Sequence, residues 1–268
     1  MFWEPPEKVT IGLVGGTGVY DPKIFTDLKE YKIYTPFGAT SDKVMIGTLK
    51  NRRIAFIPRH GRDHTIPPHL VNYRANIWAF KSLGVKRVIS VSAVGGLQED
   101  YGPGTIVIID QCFDWTRTRK KTFFEGGPVV HISLADPFCP TLRQFIIDKA
   151  KAIKLPVKES GTVVTIEGPQ FSTRAESRFY RSQGFHIISM TTNPEVNLAR
   201  EAELCYATIA MVTDYDVWAD RPVSAEEVGK TMAKNIDKVR RLLAEVIPAM
   251  PEHQDKCACG RALEGALQ

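Results

Sequence analysis

Two aspartates, Asp214 and Asp216, close an apolar run that begins at Ala207. Alternate side chains of an extended chain share a face, so both carboxylates are expected to converge where this strand stops. In an open α/β sheet, ligands bind just past the carboxyl ends of the strands. Two acids at that place can accept from an amino group and pass a proton to a ring nitrogen, and adenine offers both. A helix N-cap and a two-carboxylate metal site are the competing readings of the pair. Three other segments weigh between them.

Gly15-Gly16-Thr17-Gly18 follows the apolar run Val9–Val14, the pattern of a strand feeding a turn whose amides can face an anion, with the Thr17 hydroxyl as a further donor. Alone it is also an ordinary tight turn, because the spacing is neither G-x-G-x-x-G nor a Walker loop. Arg59-His60-Gly61-Arg62-Asp63-His64 places two arginines and two histidines at a strand end. A guanidinium fork matches phosphate oxygens and an imidazole adds a donor, so this segment reads as an anion site ahead of a solvated basic loop. Ser92-Ala93-Val94-Gly95-Gly96 is a second small-residue turn whose amides would complete that site.

The elements that must carry these groups follow from pattern. Val44–Leu49 and Arg53–Pro58 flank Lys50-Asn51-Arg52 as a hairpin that delivers Arg59. Pro67-Pro68 opens a core helix to about Leu83, with Leu70, Tyr73, Ile77, Trp78 and Phe80 on its apolar face. Arg87–Val91 is a buried strand leading to Ser92, Thr105–Asp110 a further one, and Leu142–Ile153 a helix ended by Pro156. Thr162–Ile166 is a strand followed by a helix that Ser172 or Thr173 caps. Phe171, just before that cap, either stacks on a flat ring or fills the core. His186–Met190 is a strand, and Met190 at its end offers a soft apolar surface to a sugar or packs inside. A helix then runs from Thr191-Thr192 through Cys205. Ser224-Ala225-Glu226-Glu227 is a capping box for a long helix to about Val246. His131 sits in a mixed stretch where pattern assigns it no role; a lone histidine is more often structural than a ligand.

The chain has 268 residues, 43% hydrophobic and 24% charged, the proportions of one large α/β domain. Residues 1–250 read as that domain and 251–268 as a tail. No apolar run approaches the roughly 20 residues of a membrane span, and Met1–Thr10 lacks the regions of a signal peptide, so a cytoplasmic protein is expected. The net charge of +5 is scattered, with one short cluster at Arg117–Lys121 read as a solvated face. That distribution argues against nucleic acid and suits a small anionic substrate such as phosphate. Five cysteines form no C-x-x-C pairs, and no metal site is expected. Six Asn and seven Gln against 17 Pro is an amide-poor composition that fits a thermophile, where intracellular disulfides occur. A Cys139–Cys205 bridge is therefore expected, with Cys257-Ala258-Cys259 as a strained or terminal pair.

Taken together, GGTGVYD (15–21), RHGRDHTIPPHLVNYRANIWA (59–79), VSAVGGL (91–97), ADPFCP (135–140), EGPQFSTRAES (167–177) and MTTNPEVNLAREAELCYATIAMVTDYD (190–216) resemble, in order, the motifs of the trimeric purine nucleoside phosphorylase family. The resemblance is greatest to the branch that acts on 5′-methylthioadenosine, and the terminal Cys-x-Cys is similar to archaeal members. It implies one α/β domain with a central mixed sheet flanked by helices, assembled as a homotrimer or homohexamer. It implies phosphate contacts from Thr17, Arg59, His60, Ser92, the backbone of Ala93, and Thr191. Met190 would lie on the ribose, Phe171 against the purine, and Asp214 and Asp216 on its N6 and N7 edge. His64 and Val228 would line the methylthio pocket, with His131 supplied by a neighbouring subunit. Inorganic phosphate would be a co-substrate and no cofactor would be needed. Two positions depart from the family pattern: Gln170 stands where Arg is usual, and Gly96 where Ser is common.

That resemblance implies phosphorolysis of 5′-methylthioadenosine to adenine and 5-methylthioribose 1-phosphate. An aspartate of ordinary pKa is protonated about one time in a thousand at pH 7, a cost of roughly 4 kcal/mol for an acid at N7. Burial and the charge of Asp216 are expected to lower that cost by raising the pKa of Asp214. The alternatives are a purine nucleoside sensor without turnover, a phosphorylase of broader purine nucleoside specificity and, third, a nucleic-acid binder.

Overall fold

The structure is a computed structural model that describes residues 7–16, 25–219, 225–252 and 256–267, without the side chains of 225–228. Thr17 and Ser224 lie outside the described residues, as does the side chain of Val228. In chain order the elements are β1 (Ile11–Gly15), β2 (Thr26–Tyr31), β3 (Tyr34–Thr35), β4 (Gly38–Ala39), β5 (Val44–Leu49), β6 (Arg52–Pro58), α1 (Tyr73–Ser82), β7 (Arg87–Gly96), β8 (Ile106–Ile108), β9 (Gln111–Asp114), α2 (Pro140–Ala152), β10 (Thr162–Thr165), α3 (Arg174–Ser182), β11 (Ile187–Ser189), α4 (Thr192–Glu201), β12 (Cys205–Asp214) and α5 (Ala225–Ala249).

Ten strands form one mixed sheet in the order β2-β5-β6-β1-β7-β11-β10-β9, with β12 between β7 and β8. Strand β7 organises it. One edge of β7 runs parallel to β12 from Arg87 to Gly95. Its other edge pairs with β1 over Arg87–Val91 and then, antiparallel, with β11 at Gly95 and Gly96. Between those partners, Ser92, Ala93 and Val94 have no strand beside them on that edge among the described residues. The sheet is thus split at the middle of its longest strand, the kind of switch point where α/β proteins bind ligands.

Side chains of the central strands alternate between two cores, as the two-residue period requires. In β12, Tyr206, Ala210 and Val212 face one core, while Cys205, Ala207, Ile209 and Met211 face the other. The first core is closed by α1 through Ile77 and Phe80 and by α4 through Val196 and Leu198. The second is closed by α2 through Leu142, Ile146 and Ile147 and by α5 through Leu242, Leu243 and Val246. Strands buried on both faces read as continuous apolar runs, which is why β7 and β12 were legible as such.

Four expectations are corrected. The helix expected from Pro67 starts at Tyr73: Pro68–Leu70 form a short 3₁₀ turn, Val71 is extended, and the Asn72 side chain caps α1 by accepting from Ala75 N. Leu70 is consequently exposed. Ser92–Gly96 is not a turn but the continuation of β7, held by β12 on one side. The helix after Thr191 ends at Glu201, and Cys205 opens β12. Finally, the Cys139–Cys205 bridge is not formed and Cys257 and Cys259 are not joined; no disulfide links any of the five cysteines. Cys205 Sγ lies 3.3 Å from Cys257 Sγ, far beyond an S–S bond of about 2.05 Å.

Candidate active site

A cavity of about 300 Å³ opens at the split in β7. Its walls bring together Arg59, His60, His64, Ser92, Ala93, Phe171, Met190, Thr191, Asp214 and Asp216, that is, ten of the residues singled out in the sequence. His131 is elsewhere on its own chain, exposed, with its backbone N–H on Ala266 O.

Arg59 follows β6 and is 1% exposed. Its fork is turned inward: Nε and Nη2 donate to Glu195 Oε2 and Oε1 at 2.8 and 3.0 Å, Nη2 also to Ser90 Oγ, and Nη1 to Val91 O. Four of its five N–H groups have partners within the protein. Arg59 therefore meets the cavity as a buried positive charge with one donor left, not as the bidentate clamp expected from sequence. Glu195 also accepts from Tyr206 Oη at 2.6 Å and Ser90 Oγ at 3.1 Å, so its carboxylate is fully occupied.

His60 Nδ1 lies 2.8 Å from Ile66 O. A carbonyl only accepts, so Nδ1 carries the proton and Nε2 keeps a lone pair. Burial first, and the neighbouring Arg59 charge second, push the His60 pKa down to about 4. The imidazole is neutral at pH 7 and its free nitrogen accepts rather than donates, a second correction. Ser92 Oγ and Thr191 Oγ1 are 3.3 Å apart and both buried, so either can turn toward an anion. His64 stacks near His60, with ring centroids 4.5 Å apart, and is exposed at the rim.

At the opposite wall, β12 ends at Asp214 and its register shifts between Val212 and Asp214. Asp216 lies beyond the strand in left-handed backbone, φ 49°, a conformation that aspartate tolerates better than most residues. The carboxylates are thus brought together by a turn and not by strand alternation. Asp214 Oδ1 accepts from Asp216 N at 2.8 Å and Oδ2 from Thr213 Oγ1 at 2.7 Å. Burial raises the Asp214 pKa; those two hydrogen bonds oppose the rise, and the charge of Asp216 adds the smallest contribution. Burial likewise raises that of Asp216, whose Oδ2 has no hydrogen-bond partner among the described residues. The Ser177 and Ser172 hydroxyls nearby lack hydrogen-bond geometry to it and offset only part of that rise.

Two glycines make room for this wall. A Cβ on Gly95 would stand 3.0 Å from Asp214 Oδ1 and 2.9 Å from Ile188 Cγ2. A Cβ on Gly96 would meet the backbone oxygen of Tyr101 at 2.0 Å, so the departure from Ser at this position is required by the path of the 98–101 loop. Gln170, the other departure, is exposed and lies outside the cavity lining. Phe171 is 49% exposed at the cavity mouth, which excludes the core-filling alternative. Met190 is half-buried on the wall.

Two residues that position the site were not found from sequence. Glu195 stood inside a quoted motif, and the available signal was an acid beside the apolar positions Val196, Leu198 and Ala199 of one short helix. Arg119 belonged to the cluster read as a solvated face, yet it is buried. Its guanidinium donates to Met190 O, Asn193 O, Ile166 O and Glu167 O at 2.6–3.2 Å and to the Glu167 carboxylate at 3.1 Å. It ties the loops carrying Met190 and Phe171 to each other.

Comparison with known proteins places this geometry. Residues 10–248 match the model of the phosphorylase superfamily. An S-methyl-5′-thioadenosine phosphorylase of Thermofilum pendens is 58% identical, with 97% of this chain and 99% of the relative covered. Its counterpart in Saccharolobus solfataricus is 55% identical over 98% and 99% of the two chains. The crystal structure of methylthioadenosine phosphorylase from Schistosoma mansoni in complex with adenine superimposes with a TM-score of 0.92 at 36% identity, covering 97% of this chain and 99% of that one.

Proposed function

The chain belongs to the phosphorylase superfamily, and on that premise we propose that it cleaves 5′-methylthioadenosine with inorganic phosphate, giving adenine and 5-methylthioribose 1-phosphate. The observation that carries this reading is the arrangement of one cavity: a buried cation with neutral hydrogen-bonding groups on one wall, and a pair of buried carboxyls of raised pKa on the other.

Phosphate sits against Arg59, with Ser92 Oγ, Thr191 Oγ1, the Ala93 amide and Thr17 as donors. His60 Nε2 accepts a hydrogen bond from the P–OH of a monoprotonated phosphate, which turns an unprotonated oxygen toward the anomeric carbon. The new C–O bond forms on one face of the sugar as the bond to purine N9 breaks on the other, with oxocarbenium character between. The electron pair passes into the purine and is met by a proton at N7 from Asp214; the Asp214 carboxylate is then reprotonated from solvent as the new phosphate monoester gives its own proton to solvent, so the net transfer is one proton from phosphate to adenine. Asp216 accepts from the 6-amino group. Phe171 covers the purine, Met190 the ribose, and His64 and Val228 flank the methylthio group.

No helix among the described residues is long and apolar enough to cross a membrane. We place the protein in the cytoplasm as a homotrimer or homohexamer. Edge strand β9 supports assembly: Phe113, Trp115 and Phe179 are all more than a third exposed and pack on one another at 5.6–5.8 Å, an apolar patch suited to a second subunit. A neighbour could then bring His131 to the cavity. The experiment is incubation with 5′-methylthioadenosine with and without phosphate, followed by chromatography of the base. Adenine release only with phosphate supports the reading; binding without release, or release without phosphate, overturns it.

A further inference from the structure

Arg62 belongs to the segment that delivers Arg59, His60 and His64 to the cavity, yet it does not line the cavity itself. Its side chain turns the other way. Nε and Nη2 donate to the two oxygens of Asp42, each at 3.0 Å, and Nη1 donates to Glu30 Oε1 at 3.0 Å. The Arg62 backbone N–H adds a fourth bond, to Asp42 Oδ2 at 3.0 Å. Asp42 lies in the turn between β4 and β5 and Glu30 on β2, so one residue fastens the 59–64 loop to two other segments. The Arg62 hydrogen bonds hold both carboxyls below their usual pKa range, and all three groups stay ionised at neutral pH.

The anchor is itself fixed. Lys43 N donates to Asp42 Oδ1 at 2.7 Å, and Ser41 is locked to α1 by Asn76, whose Oδ1 accepts from Ser41 N at 2.9 Å and whose Nδ2 donates to Ser41 Oγ at 2.8 Å. Asn76 is fully buried. The loop, by contrast, is a series of tight turns. Gly61 and His64 both have left-handed backbone, at φ 73° and 53°, which is uncommon for a residue with a Cβ. Its internal bonds run from Gly61 N to Pro58 O, from His64 N to Gly61 O and from Ile66 N to His60 O.

We propose that Arg62, anchored on Asp42, is the positioning residue of this loop, setting where His60 meets phosphate and where His64 meets the 5′ end of the nucleoside. Naming those two ligands rests on the function proposed above; the placement of the rings does not. Arg62 stands midway between the two histidines in sequence, and their rings lie 4.5 Å apart. Plain stabilisation is the weaker account of the contact: the Arg62 side chain is 46% exposed, and ion pairs open to water contribute little to folding. A guanidinium bidentate on a carboxylate fixes orientation instead. A displacement of about 1 Å in a group that holds the reactants costs up to about 100-fold in rate, so a contact of small folding value carries kinetic weight.

The test uses the full chain and has two arms. The first is nuclear magnetic resonance of ligand-free protein carrying carbon-13 histidine, with the His60 and His64 ring signals assigned through His60→Asn and His64→Asn. Arg62→Ala should shift both signals by releasing the fixed stacking of the rings, while Tm stays within about 3 °C of wild type. The second arm is steady-state kinetics. Arg62→Ala and Asp42→Ala should each raise the KM for phosphate at least about 5-fold and lower the preference for 5′-methylthioadenosine over adenosine. Arg62→Ala/Asp42→Ala should be no worse than either single variant, because both remove one contact. Unchanged ring signals in Arg62→Ala, effects that add in the double variant, or a large loss of Tm with phosphate KM unchanged would each overturn the proposal. Wild-type protein without phosphate-dependent turnover would end the functional reading instead, and the ring signals would still decide the positioning.

Discussion

Arg59 and Glu195 meet fork to fork, at 2.8 and 3.0 Å, with both side chains no more than 2% exposed. The carboxylate holds the guanidinium at the cavity wall as a fixed charge, and Tyr206 and Ser90 hold the carboxylate.

Removing one partner of such a pair strands the other charge in the core. Arg59→Ala is therefore expected to destabilise the protein by about 3–5 kcal/mol as well as to raise the KM for phosphate. An Arg59→Met/Glu195→Leu double variant should recover much of that stability and none of the phosphate affinity. Denaturant titration beside phosphate saturation checks this. A stable Arg59→Ala with unchanged phosphate KM would remove the pair from both roles.

His60 couples stability to pH. Its pKa falls from 6.5 to about 4 on folding, so below pH 6.5 the unfolded chain binds a proton that the folded one refuses. This group's contribution is complete above pH 6.5 and is lost as pH falls toward 4, up to about 3 kcal/mol over that window. Unfolding in phosphate-free buffer should show that component in the wild type and lack it in His60→Asn. Parallel pH profiles for the two proteins would contradict the assignment.

Arg119 positions rather than reacts. Four carbonyls and one carboxylate depend on it, so Arg119→Ala should loosen both the Met190 and Phe171 loops. Nucleoside KM is expected to rise at least about 10-fold with phosphate KM little changed, and Arg119→Lys should not rescue it because a single ammonium cannot span that fan of acceptors. Steady-state kinetics with each substrate varied in turn separates the two constants.

Much of this site was legible because its groups sit at strand ends, where polar residues interrupt long apolar runs: Asp214 as the last residue of β12, Arg59 after β6, Thr191 after β11. What escaped was partnership across sequence. Arg59 and Glu195 are 136 residues apart, and nothing local distinguishes an acid that anchors a buried arginine from one on a solvated helix face. Arg119 sat among other cations and looked like surface. Strand β9 was missed because an edge strand of four residues carries no alternation to read. The helix start slipped from Pro67 to Tyr73 because two prolines can begin a 3₁₀ turn as readily as an α-helix.

In the proposed mechanism Asp214 protonates the base at N7 and, with Asp216, sets a pair of carboxyls at the purine's 6-position edge. Adenine presents an amino donor at its 6-position, whereas hypoxanthine presents a carbonyl, and related 6-oxopurine phosphorylases carry Asn where the resemblance aligns Asp214. Asp214→Asn is expected to lower kcat/KM for 5′-methylthioadenosine by at least about 100-fold and to raise the ratio of inosine to adenosine turnover. In the wild type the acid form is populated below the raised pKa, so turnover should decline as pH rises through it, and the variant should lack that limb. Wild-type kinetics in the variant, or an unchanged ratio, would show that Asp214 is neither donor nor selector.

The fate of phosphate tests the central claim most directly. With 5′-methylthioadenosine and inorganic phosphate as the only substrates, phosphorus NMR should show one new sugar phosphate monoester for every adenine released. Adenine accumulating while inorganic phosphate stays unchanged would make water the nucleophile and contradict the account.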